Sequence, residues 1–440
     1  MKTILLLILG FCSSLPAAEP ELGSSVDWAH SGNILFAANR YGEAQVAFAK
    51  ALDAAMHREP RNPAQLAVLN INLAATYRLQ ARYGQAEPLY RKAIEYAESD
   101  PAAKSYSRGA LRGLTLVCLA EGRLTDAEDF ARRDLNLEKR GQTDPAVFAE
   151  AANTLAPVLL AEAKYNESEA LSNECLGVFP REEWRFHKVS GIALNTLGRI
   201  SLVQDKNKAA EAYFSQAMEI LSGLLGPGDP TVAAVAANLA DAKTRLGDWQ
   251  SATSLLNTSI PTLELTLGKA HPEVASALST LAAIYKARKQ YRKARPVLER
   301  IVQIDESVLG PEALKTAVDL NNLGSLAFSE RRFQESITLF SRALAINERS
   351  LGANHPDTGL VAANLAEAYL LRKRYSEAEP LFGQAIAARE RAYGPEDLTL
   401  ARLLSEYSHV LRANGKFSEA EFAEVRSVRI NVRNAIRNNS

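Results

Sequence analysis

Primary amides recur along this 440-residue chain at positions fixed relative to a repeating residue, usually large and apolar, here called the anchor. Asn72, Asn238, Asn322 and Asn364 stand eleven residues before an anchor, and Asn153, Asn195 and Asn321 stand twelve before theirs. An amide side chain offers one carbonyl acceptor and two N–H donors, which complements an extended peptide backbone without reading its side chains. Arg199 lies eight residues and Lys286 five residues before an anchor, where a cation can pair with an acidic ligand group. Arg78, Arg245, Arg412, Asp241 and Glu367 hold comparable places. The other reading of the same residues is a solvated helix face, or bonds between adjacent repeats.

Other chemistry finds little support. There is no Gly-rich phosphate loop, no nucleophile elbow, no HExxH pair and no Cys-rich metal spacing. No catalytic residue, metal ligand or cofactor site is predicted. His271 and His355 fall in equivalent linkers, each followed by Pro, which predicts a shared turn role rather than catalysis.

The elements that carry the amides follow from the anchors: Tyr41, Tyr83, Leu124, Tyr165, Asn207, Trp249, Tyr291, Phe333, Tyr375 and Phe417, spaced by 41 or 42 residues. Three residues after each comes Ala or Ser, and eight successive repeats place Leu ten before it. In one unit Leu69, Leu73, Ala74 and Tyr77 make a helical stripe, and Ala86, Leu89, Tyr90, Ala93 and Ile94 make a second. Pro88 is expected in or near the first turn of that second helix. Gly and Pro between units, as in Gly226-Pro227-Gly228-Asp229-Pro230, stop one helix and start the next. The chain therefore reads as helix pairs stacked ten times with no strand, an all-α solenoid. The amides lie on the first helix of each pair, away from its apolar stripe.

Charge is balanced, 51 basic against 51 acidic residues, so no global field draws the chain to nucleic acid or anionic lipid. The N-terminus breaks the repeat: Lys2, the apolar run 4–11, then Ala17 and Ala18 predict a signal peptide over residues 1–18, removed on export. The mature chain is then expected to be periplasmic or secreted, in a bacterial setting, with no stable membrane span. Cys118 and Cys175 fall on predicted core positions; an exported compartment permits a disulfide, while their different helix pairs favour buried free thiols. Glu424, Ser427 and the row Arg426, Arg429, Arg433 and Arg437 predict a polar capping helix, with an anionic partner as the alternative.

Leu365, Ala366, Tyr369, Tyr375, Ala378, Phe382 and Ala385 resemble the tetratricopeptide repeat pattern. The 42-residue period, Glu-Ala-Glu-Pro-Leu and the Leu-Gly-x-x-His-Pro linkers are similar to the kinesin light chain subtype. The resemblance spans residues 22–437 and implies a right-handed α-solenoid whose first helices line a concave surface. It also implies that asparagines there hold bound peptides. Co-chaperone repeats grip a terminal carboxylate with Arg eleven and Lys twelve and fifteen before their anchors, and this chain has none of these. The expectation is a non-catalytic scaffold that binds extended internal segments of a partner protein. The alternative is a solenoid with an unrecognised hydrolase-type activity.

Overall fold

The computed structural model describes residues 24–139 and 144–439. The predicted signal peptide lies outside the described residues. The chain divides into two compact units, Met1–Thr280 and Leu281–Ser440.

The first unit runs α1 (Ser25–Ala37), α2 (Tyr41–Met56), α3 (Pro63–Leu79), α4 (Tyr83–Ser99), α5 (Ser107–Ala120) and α6 (Leu124–Lys139). It continues through α7 (Pro145–Ala161), α8 (Tyr165–Gly177), α9 (Lys188–Val203), α10 (Asn207–Leu225), α11 (Pro230–Arg245) and α12 (Trp249–Leu267). The unit boundary falls inside α13 (Pro272–Ala287). The second unit holds α14 (Tyr291–Val308), α15 (Leu314–Ser329), α16 (Phe333–Leu351), α17 (Pro356–Leu371), α18 (Tyr375–Tyr393), α19 (Leu398–Ala413) and α20 (Phe417–Asn439). Two short 3-10 helices, Pro101–Tyr106 and Arg181–Phe186, precede α5 and α9. No strand occurs among the described residues.

Every anchor is the first residue of an even-numbered helix. The turn that leads into it is the same each time. The residue two before the anchor takes a positive φ, whether Gly122, Gly247 and Gly415 or the non-glycines Asn39, Ala81, Ala163, Asp205, Lys289, Arg331 and Lys373. The next N–H then reaches back five residues, as Arg82 to the Tyr77 carbonyl at 2.9 Å and Arg332 to Ala327 at 2.8 Å. This is a Schellman closure, which satisfies the last carbonyls of the first helix and reverses the chain. Between repeats the reversal falls to residues such as Gly226 (φ 85°), and several of the helices that follow, α11 among them, are capped by a side chain. His271 Nδ1 accepts from the Glu273 amide at 3.1 Å and His355 Nδ1 from the Asp357 amide at 3.2 Å. The two histidines thus cap helices where Asp229 and Asp397 do so elsewhere.

All ten Ala or Ser residues three past the anchors are fully buried. Their small size lets the two helices of a pair approach, and the aromatic seven past the anchor fills the space beside them. Phe48, Phe214 and Phe340 lie against Gly32, Gly198 and Gly324, where a β-carbon would meet the ring. Pro88 is the sixth residue of α4, one turn deeper than the sequence predicts. Cys118 and Cys175 are buried and free, and burial pushes their thiols up to about 11 and about 12.

The expected polar cap needs correction. Ser427 Oγ donates inward to the Ala401 carbonyl at 2.6 Å and is spent on packing, whereas Glu424 pairs with Arg412 at the surface. Phe422, Val425, Val428, Val432 and Ile436 are left on the outer side of α20.

Candidate functional site

Helical geometry sets residues fifteen, eleven, eight and four before the anchor on one stripe, since those offsets repeat at four, three and four residues. The predicted amides follow that stripe or flank it by one residue.

In the first unit Asn153 on α7 donates Nδ2 to the Val189 carbonyl at the start of α9, 2.8 Å away, and its buried Oδ1 has no partner among the described residues. Asn195 on α9 accepts at Oδ1 from Asn238 Nδ2 on α11 at 2.9 Å. Asn72 on α3 is buried and has no hydrogen-bond partner among the described residues. In the second unit Asn321 on α15 accepts from Asn364 Nδ2 on α17 at 2.8 Å. Asn322 is half-buried, again with no partner among the described residues.

A rule emerges from the two Asn–Asn pairs. The residue twelve before one anchor accepts from the residue eleven before the next, 43 positions on. The bonds-between-repeats reading therefore holds for Asn153, Asn195, Asn238, Asn321 and Asn364. It does not exhaust the amides. Asn195 keeps both N–H donors and Asn238 keeps its carbonyl oxygen, and both residues remain half-exposed. Each dyad thus presents a donor and an acceptor side by side, fixed by the mutual bond.

The cations separate into two groups. Arg245 pairs with Asp241 at 3.4 Å, Arg412 with Glu424, and Glu367 with Arg402, so these ions are engaged within the chain. The Arg78 guanidinium bonds to Tyr90, and its buried Nε has no partner among the described residues. Arg199 and Lys286 have no ion-pair partner among the described residues. Loss of water around each lowers its pKa, and for Arg199 the more distant Glu273 carboxylate works against that shift. An accessible, partly desolvated cation gains more from a ligand carboxylate than one bathed in solvent does.

Three features of the stripe escape the sequence reading. Val318 on α15 and Leu360 on α17 are 56% and 53% exposed, one helical turn before Asn322 and Asn364. Glu406 takes the asparagine position on α19; burial and the nearby Glu367 push its carboxyl up to about 7. Their signal was the offset itself, fifteen or eleven before the anchor, read without regard to residue type. No group of three or more metal-ligating side chains occurs among the described residues. No described helix is long and apolar enough to cross a membrane.

A tetratricopeptide repeat model matches residues 189–265, 273–331, 318–391 and 361–431, and a second such model matches 71–99. No curated protein matches the chain. Among solved structures, BtubC (BKLC) from P. vanneervenii is 23% identical, with 52% of this chain and 91% of that one covered at a TM-score of 0.45. A putative kinesin light chain from Podosopora anserina with nearly identical repeats is 24% identical, covering 47% and 98% at 0.41. A Rap protein complexed with Competence and Sporulation Factor is 13% identical, covering 75% and 99% at 0.50, a likeness of fold.

Proposed function

The chain belongs to the tetratricopeptide repeat family, and from that premise we propose that it is a non-catalytic scaffold holding extended peptide segments of a partner protein. The observation that carries this reading is the pair of asparagine dyads. Each offers a fixed donor and acceptor, the two groups that every residue of an extended strand displays in turn. In the second unit Val318 and Leu360 would receive apolar side chains beside the held backbone. Arg199 in the first unit and Lys286 in the second would favour acidic residues in the segments bound there. The predicted removal of residues 1–18 places this activity in the periplasm or outside the cell, a reading that N-terminal sequencing of the mature protein checks.

The test is capture of partners from an envelope or secreted extract, followed by fluorescence anisotropy with peptides cut from them. Asn322→Ala removes an amide that bonds to nothing among the described residues, so it is expected to weaken peptide binding about tenfold with stability unchanged. Unaltered affinity in Asn322→Ala and in the Asn321→Ala/Asn322→Ala pair would remove the asparagines as the binding site.

A further inference from the structure

The outer side of α20 points to a second copy of this chain as its occupant. At the position eleven past the anchor, Val302, Leu344 and Ile386 are less than 10% exposed, each on a helix packed against the next first helix. The same position on α20 is Val428, which is 56% exposed. With it stand Phe422 at 73%, Val425 at 51%, Val432 at 52% and Ile436 at 63%. A groove of about 590 Å³ runs along this side, lined by Arg412, Phe417, Glu421, Glu424, Val425 and Val428. Val428 thus stands where its counterparts meet the next first helix, and the other four extend an apolar row beside it.

Charge selects which helix. Glu419, Glu421 and Glu424 come first along α20, and Arg426, Arg429 and Arg433 follow them. About a two-fold axis at Val425 an antiparallel copy of α20 sets Glu421 against Arg429, whereas a parallel, in-register copy sets like against like. Glu421 and Arg429 flank the apolar row and have no ion-pair partner among the described residues. We propose that two chains associate through α20 about a two-fold axis at Val425, with Glu421 of each opposite Arg429 of the other and Phe422 opposite Val428. Such an isologous contact closes on itself and leaves no face open for further growth. Phe417 and the five apolar side chains expose roughly 600 Å² per copy, or about 1,200 Å² in the pair, which meets the lower bound of stable specific interfaces.

Sedimentation equilibrium of the full chain at tens of micromolar should show a monomer–dimer equilibrium. Phe422→Asp, at an exposed site, should raise the dissociation constant about tenfold or more with the helical circular dichroism unchanged. Glu421→Arg and Arg429→Glu should each weaken the dimer, and the two together should restore it. A chain that stays monomeric overturns the proposal. So does a dimer indifferent to Phe422→Asp, which would use another surface, or a double charge reversal that fails to rescue.

Discussion

Asn195 and Asn238 join neighbouring first helices through one side-chain hydrogen bond, Nδ2 to Oδ1 at 2.9 Å. The bond belongs to the packing of the repeats as much as to any ligand. Asn238→Ala is therefore expected to cost about 1 kcal/mol of stability, while a double-mutant cycle with Asn195→Ala recovers a coupling of similar size. Urea denaturation of the four proteins gives both quantities. Strictly additive losses would mean that the two amides do not support each other.

Asp305 on α14 and Asp319 on α15 are both buried, at positions where other repeats place residues such as Leu221 and Leu263, or Val235 and Val361. Burial, followed by the bond to Asp305, pushes the Asp319 carboxyl up to about 8, and Lys315 pairs with Asp305 at 3.0 Å. The sign of the pH effect follows from linkage. Below about pH 4, the ordinary range of an aspartate, folded and unfolded chains both hold the proton and the group contributes nothing. From there to about pH 8 only the folded chain holds it, so stability falls as pH rises, and above that the penalty is complete. Asp319→Asn keeps a donor toward Asp305 and removes the titration. Its melting temperature should exceed that of the parent at pH 8 and converge with it near pH 4. A difference independent of pH would show that Asp319 is ionised in the fold.

Much of this architecture was legible because one packing solution is repeated. The anchor, the small residue three past it and the Leu ten before it each answer a local steric demand, so their period reported helix boundaries directly. The site was less legible. Asn195 and Asn321 carry no mark in the sequence that distinguishes a ligand-facing amide from one tied to the next repeat. That distinction depends on a contact across 43 residues. Arg245 and Arg199, four and eight before their anchors, likewise share one stripe, yet Asp241 stands one turn before Arg245 and engages it, while Arg199 has no ion-pair partner among the described residues. The outer side of α20 was misjudged for the same reason: Ser427 turns inward to the Ala401 carbonyl, a bond that the helical offset alone does not reveal.

Ser168 and Ser336 replace the Ala three past the anchor, and both are fully buried. Ser168 Oγ donates to the Ala156 carbonyl at 2.7 Å, whereas Ser336 Oγ has no partner among the described residues. A buried hydroxyl without a partner carries its whole desolvation cost. Ser336→Ala should stabilise the fold by about 1 kcal/mol, and Ser168→Ala should be neutral or mildly destabilising. Paired denaturation curves decide the matter; equal effects at the two sites would mean that the Ser336 hydroxyl is solvated.

The turn before each anchor supplies the last test. Ala81 and Arg331 adopt φ of 56° and 61°, the left-handed region in which a β-carbon crowds the following carbonyl. The chain accepts this because the Schellman bonds, Arg82 to Tyr77 and Arg332 to Ala327, close the first helix at no other angle. Gly122, Gly247 and Gly415 meet the same demand without the steric penalty. Replacing Ala81 or Arg331 with Gly relieves the crowding but adds freedom to the unfolded chain, two terms of opposite sign. At a position held at positive φ the first outweighs the second, so each substitution should stabilise by about 0.5 kcal/mol. The converse change, Gly247→Ala, should destabilise by about 1 kcal/mol. Thermal melts of the three variants check the order, and a destabilised Ala81→Gly would show that the unfolded-chain term dominates at this turn.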